Sequence, residues 1–301
     1  MSAGLGAPAR LLARRSFAEL ELRERIASLL DGGRFRELID PFERLTSPWL
    51  ARQGVVAQSD DGVVVAKGQL AGQPAVVLAI EGAFQGGSLG EVGGAKIAGA
   101  LELAAADNRR GTPTRALLLF ETGGVRLQEA NLGLAAIAEI HAAIVDLRRH
   151  QPVVGVIAGS VGCFGGMSIA AGLCSYLVAT REARLGLNGP QVIEEEAGLP
   201  EYDSRDRPFI WSFSGGEQRW RSGLVDAFVD DDADALRDRV AALFALGRPR
   251  VERSDRHAHY LERLARYDPA VQATPETVRR LYQEDPSGAA DASGHASGAA
   301  A

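Results

Sequence analysis

The chain has 301 residues, 46% hydrophobic and 24% charged. That is enough for one large α/β domain or two small ones, and too apolar for a chain without a core. The sequence holds no run of 18 apolar residues, so no membrane-spanning helix is expected. Two cysteines, Cys163 and Cys174, and five scattered histidines argue against a disulfide framework, a four-cysteine zinc site or any other metal centre. A formal net charge of −6 lends no support to nucleic-acid binding. Glycine is abundant, at 35 residues.

In chain order, residues 1–15 lack acids and carry Arg10, Arg14 and Arg15. They are read as the flexible N-terminus of a cytoplasmic protein rather than as a transit peptide. Residues 16–38 read as helical, with Leu20, Leu22, Ile26, Leu29 and Leu30 near helical spacing and Asp31-Gly32-Gly33 interrupting the run. Prolines at 41 and 48 predict an extended connector. Residues 63–66 and 75–80 are valine-rich runs around a turn at Ala71-Gly72-Gln73-Pro74, as in a hairpin.

From there the pattern alternates. A helix over 94–110 precedes a buried strand over 116–120. A long helix over 128–149, with Leu134, Ile137, Ile140, His141, Ile144 and Leu147 inward, precedes a second buried strand over 153–158. A small-residue helix over 165–172 leads to strands at 176–179 and 184–187, and helices follow at 233–246 and 257–267. Strands alternating with helices at this spacing predict βαβ units in a mostly parallel sheet covered on both faces. Residues 285–301 are mostly Ser, Gly, Ala and Asp and are expected to form a disordered tail.

Two glycine pairs fall directly after predicted buried strands: Glu121-Thr122-Gly123-Gly124-Val125-Arg126 and Gly162-Cys163-Phe164-Gly165-Gly166. Strand-to-helix turns of a parallel sheet lie at the carboxyl ends of the strands, where ligands bind. Amides at a helix start lack acceptors and favour negative charge. Two such turns face to face would offer two N–H donors to one oxygen, an oxyanion hole. Tight turns and close helix–sheet packing account for the same glycines equally well. Neither pair fits a dinucleotide or phosphate-loop pattern, and Ser160 lacks the first glycine of a nucleophile elbow.

Read with their flanks, these segments resemble the carboxyltransferase branch of the crotonase-like superfamily. The resemblance runs through five blocks in order: Arg23-Glu24-Arg25-Ile26 with Phe35-Arg36-Glu37-Leu38; Gln85-Gly86-Gly87-Ser88-Leu89-Gly90 with Gly94-Ala95-Lys96-Ile97; Thr122 to Glu129; Gly189-Pro190-Gln191-Val192-Ile193-Glu194; and Gly223-Leu224-Val225-Asp226, which resembles the element that ends the core. It covers roughly residues 16–230. Within the branch, the wording of residues 121–130 and 162–167 is similar to the β subunits of biotin-independent malonate decarboxylases. The zinc module of bacterial acetyl-CoA carboxylase β subunits is missing, and the length is that of one crotonase-like half, not two.

The resemblance implies a ββα superhelix: an N-terminal helical extension, a carboxyltransferase domain over 16–284 with flanking C-terminal helices, and the tail. It implies decarboxylation of a malonyl thioester on an acyl-carrier protein to the acetyl thioester and CO₂. The partners implied are a γ subunit supplying the other half-site, a carrier-protein δ subunit bearing a phosphoribosyl-dephospho-CoA arm, and an α subunit transferase. No directly bound cofactor and no biotin is expected. The alternative is a carboxyltransferase subunit of a biotin-dependent enzyme; a scaffold without catalysis is a third.

The same resemblance places enolate-stabilising amides at Gly123, Gly124, Val125, Gly165 and Gly166. It suggests substrate or arm contacts for Lys96, Arg126, Gln128, Glu129, Gly162, Cys163 and Phe164. For several of these a plainer role stands beside the functional one. Lys96 reads equally as a solvated lysine, Arg126 as a surface salt bridge, and Gln128 and Glu129 as a helix cap. The two cysteines read as buried thiols and His141 as a core histidine. Glu194-Glu195-Glu196 reads as a solvated acidic turn, and the arginines of 248–266 as a solvated helical face.

Overall fold

The structure, a computed structural model, describes residues 14–54, 56 and 62–283. The expectations for residues 1–13 and for the tail at 285–301 lie outside the described residues.

The valine-rich runs form β2 (Val63–Leu70) and β3 (Gln73–Ile80), an antiparallel hairpin in which Val63 faces Ile80 and Leu70 faces Gln73. From β3 onward the sheet is parallel: β5 (Arg115–Phe120), β7 (Val153–Ile157), β8 (Tyr176–Ala179) and β9 (Ala227–Phe228). With β1 (Phe35–Leu38) at the other edge, the order is β1-β2-β3-β5-β7-β8-β9. Side chains alternate across a strand, and the apolar strands split their residues accordingly. Val76, Leu78, Ile80, Leu118, Phe120 and Ile157 enter one core, while Val77, Ala79, Leu117, Leu119, Val154 and Val156 enter the other. The first core is covered by α2 (Glu91–Arg109), α3 (Asn131–Leu147) and α4 (Gly166–Leu173). The second is covered by α1 (Leu22–Leu29) and α8 (Ala233–Ala245). Between α4 and α8 lie α5 (Pro190–Ala197), α6 (Arg207–Ser214) and α7 (Gly216–Arg221); α9 (His257–Leu264) and α10 (Pro275–Tyr282) follow.

β3, β5, β7 and β8 are each followed by a second, much shorter extended stretch before the next helix. β4 (Ser88–Leu89) pairs in parallel with β6 (Gly124–Val125), Thr122 bridges Cys163, and Cys163 bridges Leu185. Four successive repeats thus stack a miniature sheet beside the large one. This strand, short strand, helix repeat is the crotonase-like ββα superhelix.

Several elements depart from the sequence reading. Residues 35–38 form an edge strand rather than helix, because Gly32 and Gly33 both take positive φ and the chain turns back to pair with β2. The proline-marked connector contains 3₁₀ turns at Pro41–Glu43 and Leu50–Gln53. Residues 184–187 make only single-residue bridges, Cys163 to Leu185 and Arg184 to Gly215, and no strand. Leu134 is 53% exposed: Gly133 packs against the Leu89 carbonyl and the Val125 side chain, which turns the first turn of α3 away from the core. Glu194-Glu195-Glu196 lies on α5 rather than in a turn. The arginines of 248–266 are not uniformly solvated, since Arg263 is buried and Arg253 pairs with Asp226. The core continues past Asp226, through Val229, Leu236, Val240 and Phe244.

Candidate functional site

The two glycine turns emerge from adjacent repeats and touch. Gly124 has φ +108° and Gly165 φ +60°, conformations that L side chains resist. A Cβ on Gly165 would lie 3.1 Å from the Gly124 Cα and 3.8 Å from the Val125 nitrogen, and one on Gly124 would lie 3.2 Å from the Gly165 Cα. Backbone meets backbone here, so the glycines are required by the approach of the two loops as well as by their torsions.

Not every amide of these turns is available to a ligand. Gly123 N–H donates to the Gly86 carbonyl at 2.9 Å, and Gly124 N–H to Thr122 Oγ1 at 3.0 Å. Gly165 N–H donates to the Leu187 carbonyl at 2.7 Å. Gly166 opens α4, where helical geometry leaves the first amides without intrahelical acceptors. Val125 follows on the facing loop. Of the five expected positions, Gly123, Gly124 and Gly165 have their N–H groups engaged within the protein, which leaves Val125 and Gly166, one on each turn, as the candidates for an incoming oxygen.

A buried ion-pair network holds the first turn. The Arg126 guanidinium donates to Glu129 Oε1 at 2.9 Å and to the Ser88 carbonyl at 2.8 Å, and lies 5.4 Å from the centre of the Phe84 ring. Glu129 Oε2 accepts the Glu91 N–H at 2.8 Å. Glu129 thus caps α2, the helix of the preceding repeat, by placing a carboxylate at its positive end. Arg126 is buried, not a surface salt bridge, and Gln128 is exposed. Between Glu129 and α3, Ala130 takes φ +49° and ψ −127°, a strained conformation for alanine.

Beneath the same turn, Glu121 closes β5 and pairs with Arg25, whose guanidinium also donates to the carbonyls of Leu20 and Ala18. The leading segment is fastened in turn by Asp231, which accepts the N–H groups of Phe17 and Ala18 at 2.8 and 2.9 Å. The sequence reading did not single out Glu121 or Arg25 as functional. Their spacing of 96 residues conceals a contact that only the fold creates.

The remaining expected residues divide. Lys96 is buried rather than solvated and donates to the Val63 carbonyl at 2.6 Å. Cys163 is fully buried in the first core, and burial pushes its thiol well above the usual range. Cys174 is likewise buried, its thiol pushed up to about 12 by desolvation. Neither is a thiolate nucleophile. Gly162 takes φ +87°, and its carbonyl accepts Thr122 N–H at 2.8 Å, joining the two loops. Phe164 lines a cavity of about 460 Å³ beside the second turn. His141 is partly buried and lies 2.8 Å from the Gly166 carbonyl through Nε2.

Around the turns the surface is apolar. Leu127 is 80% exposed, Leu187 62% and Ile169 49%, and the open face of α3 presents Leu134, Ala138 and Ala142. Among the described residues there is no cluster of His, Cys, Asp and Glu able to hold a metal, and no helix long and apolar enough to cross a membrane.

Known proteins share this architecture. The model of the carboxyl transferase domain matches residues 15–285. The malonyl-S-ACP:biotin-protein carboxyltransferase MADC of Malonomonas rubra is 36% identical over 239 residues, covering 76% of this chain and 75% of that protein. In a Pseudomonas malonate decarboxylase hetero-tetramer crystallised with malonate, one chain is 72% identical, with a TM-score of 0.86. That match covers 91% of this chain and all of the Pseudomonas chain. In a Pseudomonas malonate decarboxylase MdcD–MdcE hetero-dimer, a chain is 63% identical with a TM-score of 0.71, covering 85% of this chain and 98% of the other.

Proposed function

The chain belongs to the carboxyl transferase domain family, and from that membership we propose that it is the β subunit of a malonate decarboxylase. Residues 16–284 form its carboxyltransferase domain. It acts on malonyl carried as a thioester by an acyl-carrier protein. The observation that carries the reading is the backbone contact of the two glycine turns at Gly124 and Gly165, which sets the Val125 and Gly166 amides on facing loops.

The chemistry follows from that geometry. The bond between the malonyl Cα and its carboxylate breaks, CO₂ leaves, and the electron pair moves into an enolate whose negative oxygen is the former thioester carbonyl. Preorganised N–H donors aimed at this oxygen stabilise charge that develops only as the bond breaks, and removing one such donor typically costs about 10²–10³-fold in rate. A proton from water or a partner group then reaches Cα and yields the acetyl thioester. No nucleophile or metal of this chain is needed, which fits two cysteines held as buried thiols.

The exposed apolar face formed by Leu127, Leu134, Ala138, Ala142 and Ile169 adjoins the turns, and a monomeric surface of this kind marks a protein interface. A γ subunit seated there would complete the half-site. Carrier-protein δ and transferase α subunits would deliver the malonyl group on a phosphoribosyl-dephospho-CoA arm. The reaction would run in the cytoplasm.

A second reading has a specific observation behind it: the Malonomonas relative is named for transfer to a biotin protein. One experiment separates the two. The chain is purified with its partner subunit and given malonyl-S-carrier without biotin. CO₂ release at the full rate supports decarboxylation; acetyl thioester formed only when a biotin protein is added, with the carboxyl recovered as carboxybiotin, supports carboxyl transfer. Gly165→Ala, which crowds the Gly124 Cα and places alanine at φ +60°, pushes the two turns apart and is expected to lower turnover by about 10²-fold or more. Turnover within a few-fold of wild type would remove the amide pair from the mechanism.

A further inference from the structure

The cavity beside the second glycine turn has no part in the scheme above. Its volume, about 460 Å³, is on the scale of a substrate pocket. Its walls are aromatic and apolar for the most part, with Phe164, Tyr202, Phe209 and Phe213, and its charged member from a core-packed helix is Arg219 of α7.

Arginine carries five N–H donors. Arg219 gives its Nε to the Leu185 carbonyl at 2.9 Å, and among the described residues it has no carboxylate partner. Arg25, Arg126 and Arg253, by contrast, each pair with an acid. The titratable groups that act on the Arg219 charge are the phenols of Tyr202 and Tyr282. Glu201, the one acid in the cavity wall, is exposed. Burial draws the Arg219 guanidinium below its usual range, as expected for a charge left uncompensated. Arg184, also near Tyr202, adds a second positive charge to the same region and stacks on the Phe164 and Trp211 rings at 5.6 and 4.6 Å.

The cavity is mechanically joined to the glycine turn by one short segment. The Leu185 carbonyl holds Arg219, Gly186 N–H donates to the Cys163 carbonyl at 3.2 Å, and the Leu187 carbonyl holds Gly165 N–H. A substrate group bound by Arg219 would therefore lie against the loop that presents Gly166.

We propose that this cavity is an anion subsite for the thioester substrate, in which the Arg219 guanidinium binds an oxyanionic group through charge-assisted hydrogen bonds. The inference rests on the reading of the glycine turns as the thioester site. The oxyanion is either the malonyl carboxylate or a phosphate of the carrier's arm. Both present oxygens in the geometry that a guanidinium fork matches.

The test uses the chain in complex with its partner subunit and titrates malonate and, separately, inorganic pyrophosphate by calorimetry. Wild type is expected to bind at least one probe, with Arg219→Gln weakening it about tenfold or more and Arg219→Lys by less. Arg219-dependent binding of malonate identifies the carboxylate, and of pyrophosphate the arm. With malonyl-S-carrier, Arg219→Gln is expected to raise KM about tenfold while kcat stays within about threefold, the pattern of lost uniform binding. If Arg219→Gln does not fold by circular dichroism, Arg219→Lys is read in its place. No binding of either probe, or equal binding by wild type and variant, overturns the proposal. Gly165→Ala keeps the two ideas apart: its turnover reports on the amide pair, while its probe affinity reports on the subsite.

Discussion

Replacing Glu129 by glutamine removes one negative charge from a closed network without changing its volume. In the folded chain Glu129 Oε1 takes the Arg126 guanidinium at 2.9 Å and Oε2 takes the Glu91 N–H at 2.8 Å, with the Glu129 side chain 4% and the Arg126 side chain 9% exposed. A glutamine keeps one acceptor oxygen. Its NH₂ must then face either the guanidinium or the Glu91 amide, a donor against a donor. Breaking one member of a buried pair typically costs about 3–5 kcal/mol because the survivor stays buried with its counter-charge removed. The carboxylate at the start of α2 accounts for about 0.3–1 kcal/mol of that. Domain stabilities are about 5–15 kcal/mol, so the loss should be plain in a urea titration followed by far-ultraviolet circular dichroism. Arg126→Met and the double variant complete a cycle, and the double should be about 1–3 kcal/mol less damaging than the sum of the singles. A loss under about 1 kcal/mol for Glu129→Gln, or an additive cycle, would show that the network is not buried and coupled in the way described.

Two further outcomes are expected. Arg25→Met leaves Glu121 buried without its cation, directly before Thr122 and the first glycine turn. It should destabilise by about 3–5 kcal/mol and lower kcat more than it raises KM. Adding Glu121→Gln should recover part of the stability, and a double variant worse than the single would contradict the pairing. The second outcome concerns pH. Cysteines in the unfolded chain ionise near 8.5, whereas burial pushes Cys174 up to about 12 and Cys163 well above the usual range. The unfolded state therefore loses its thiol protons first, so this contribution is intact below about pH 8.5 and fades as pH rises toward 12. Urea midpoints should fall between about pH 9 and 11, with a shallower fall in Cys174→Ala; equal slopes would refute the assignment.

The parts of the fold legible in the sequence were those with strong local signals. Uninterrupted apolar runs such as residues 116–120 and 153–158 cannot be solvated and mark strands buried on both faces, and strands form there, at Arg115–Phe120 and Val153–Ile157. The glycine pairs following them mark strand-to-helix turns, and both are such turns. Elements that depend on long-range pairing were harder to read. Residues 35–38 are too short for a periodic signal and become a strand because β2 offers an edge. Leu134 has the spacing of a core residue but is displaced by the close approach of Gly133 to β4 and β6.

The sequence by itself determined the repeat of strand and helix, the place of the two glycine turns in it and, through the order of its motifs, the family. Those properties are local: they follow from apolar runs, from torsions that only glycine takes readily, and from residues adjacent in the chain. Tertiary structure decided which groups face one another. It brought Gly124 onto Gly165 across 40 intervening positions, assigned the Gly123 and Gly165 amides to carbonyls of neighbouring repeats, and buried Arg126 with Glu129 under the preceding repeat. It also set Arg219 in a cavity with no carboxylate paired to it among the described residues. Whether an amide or a guanidinium is spent or available depends on which acceptors the superhelix stacks beside it. The Thr122 hydroxyl that takes the Gly124 amide is local, but the Gly86 and Leu187 carbonyls come from other repeats, so no window of the chain contains that information.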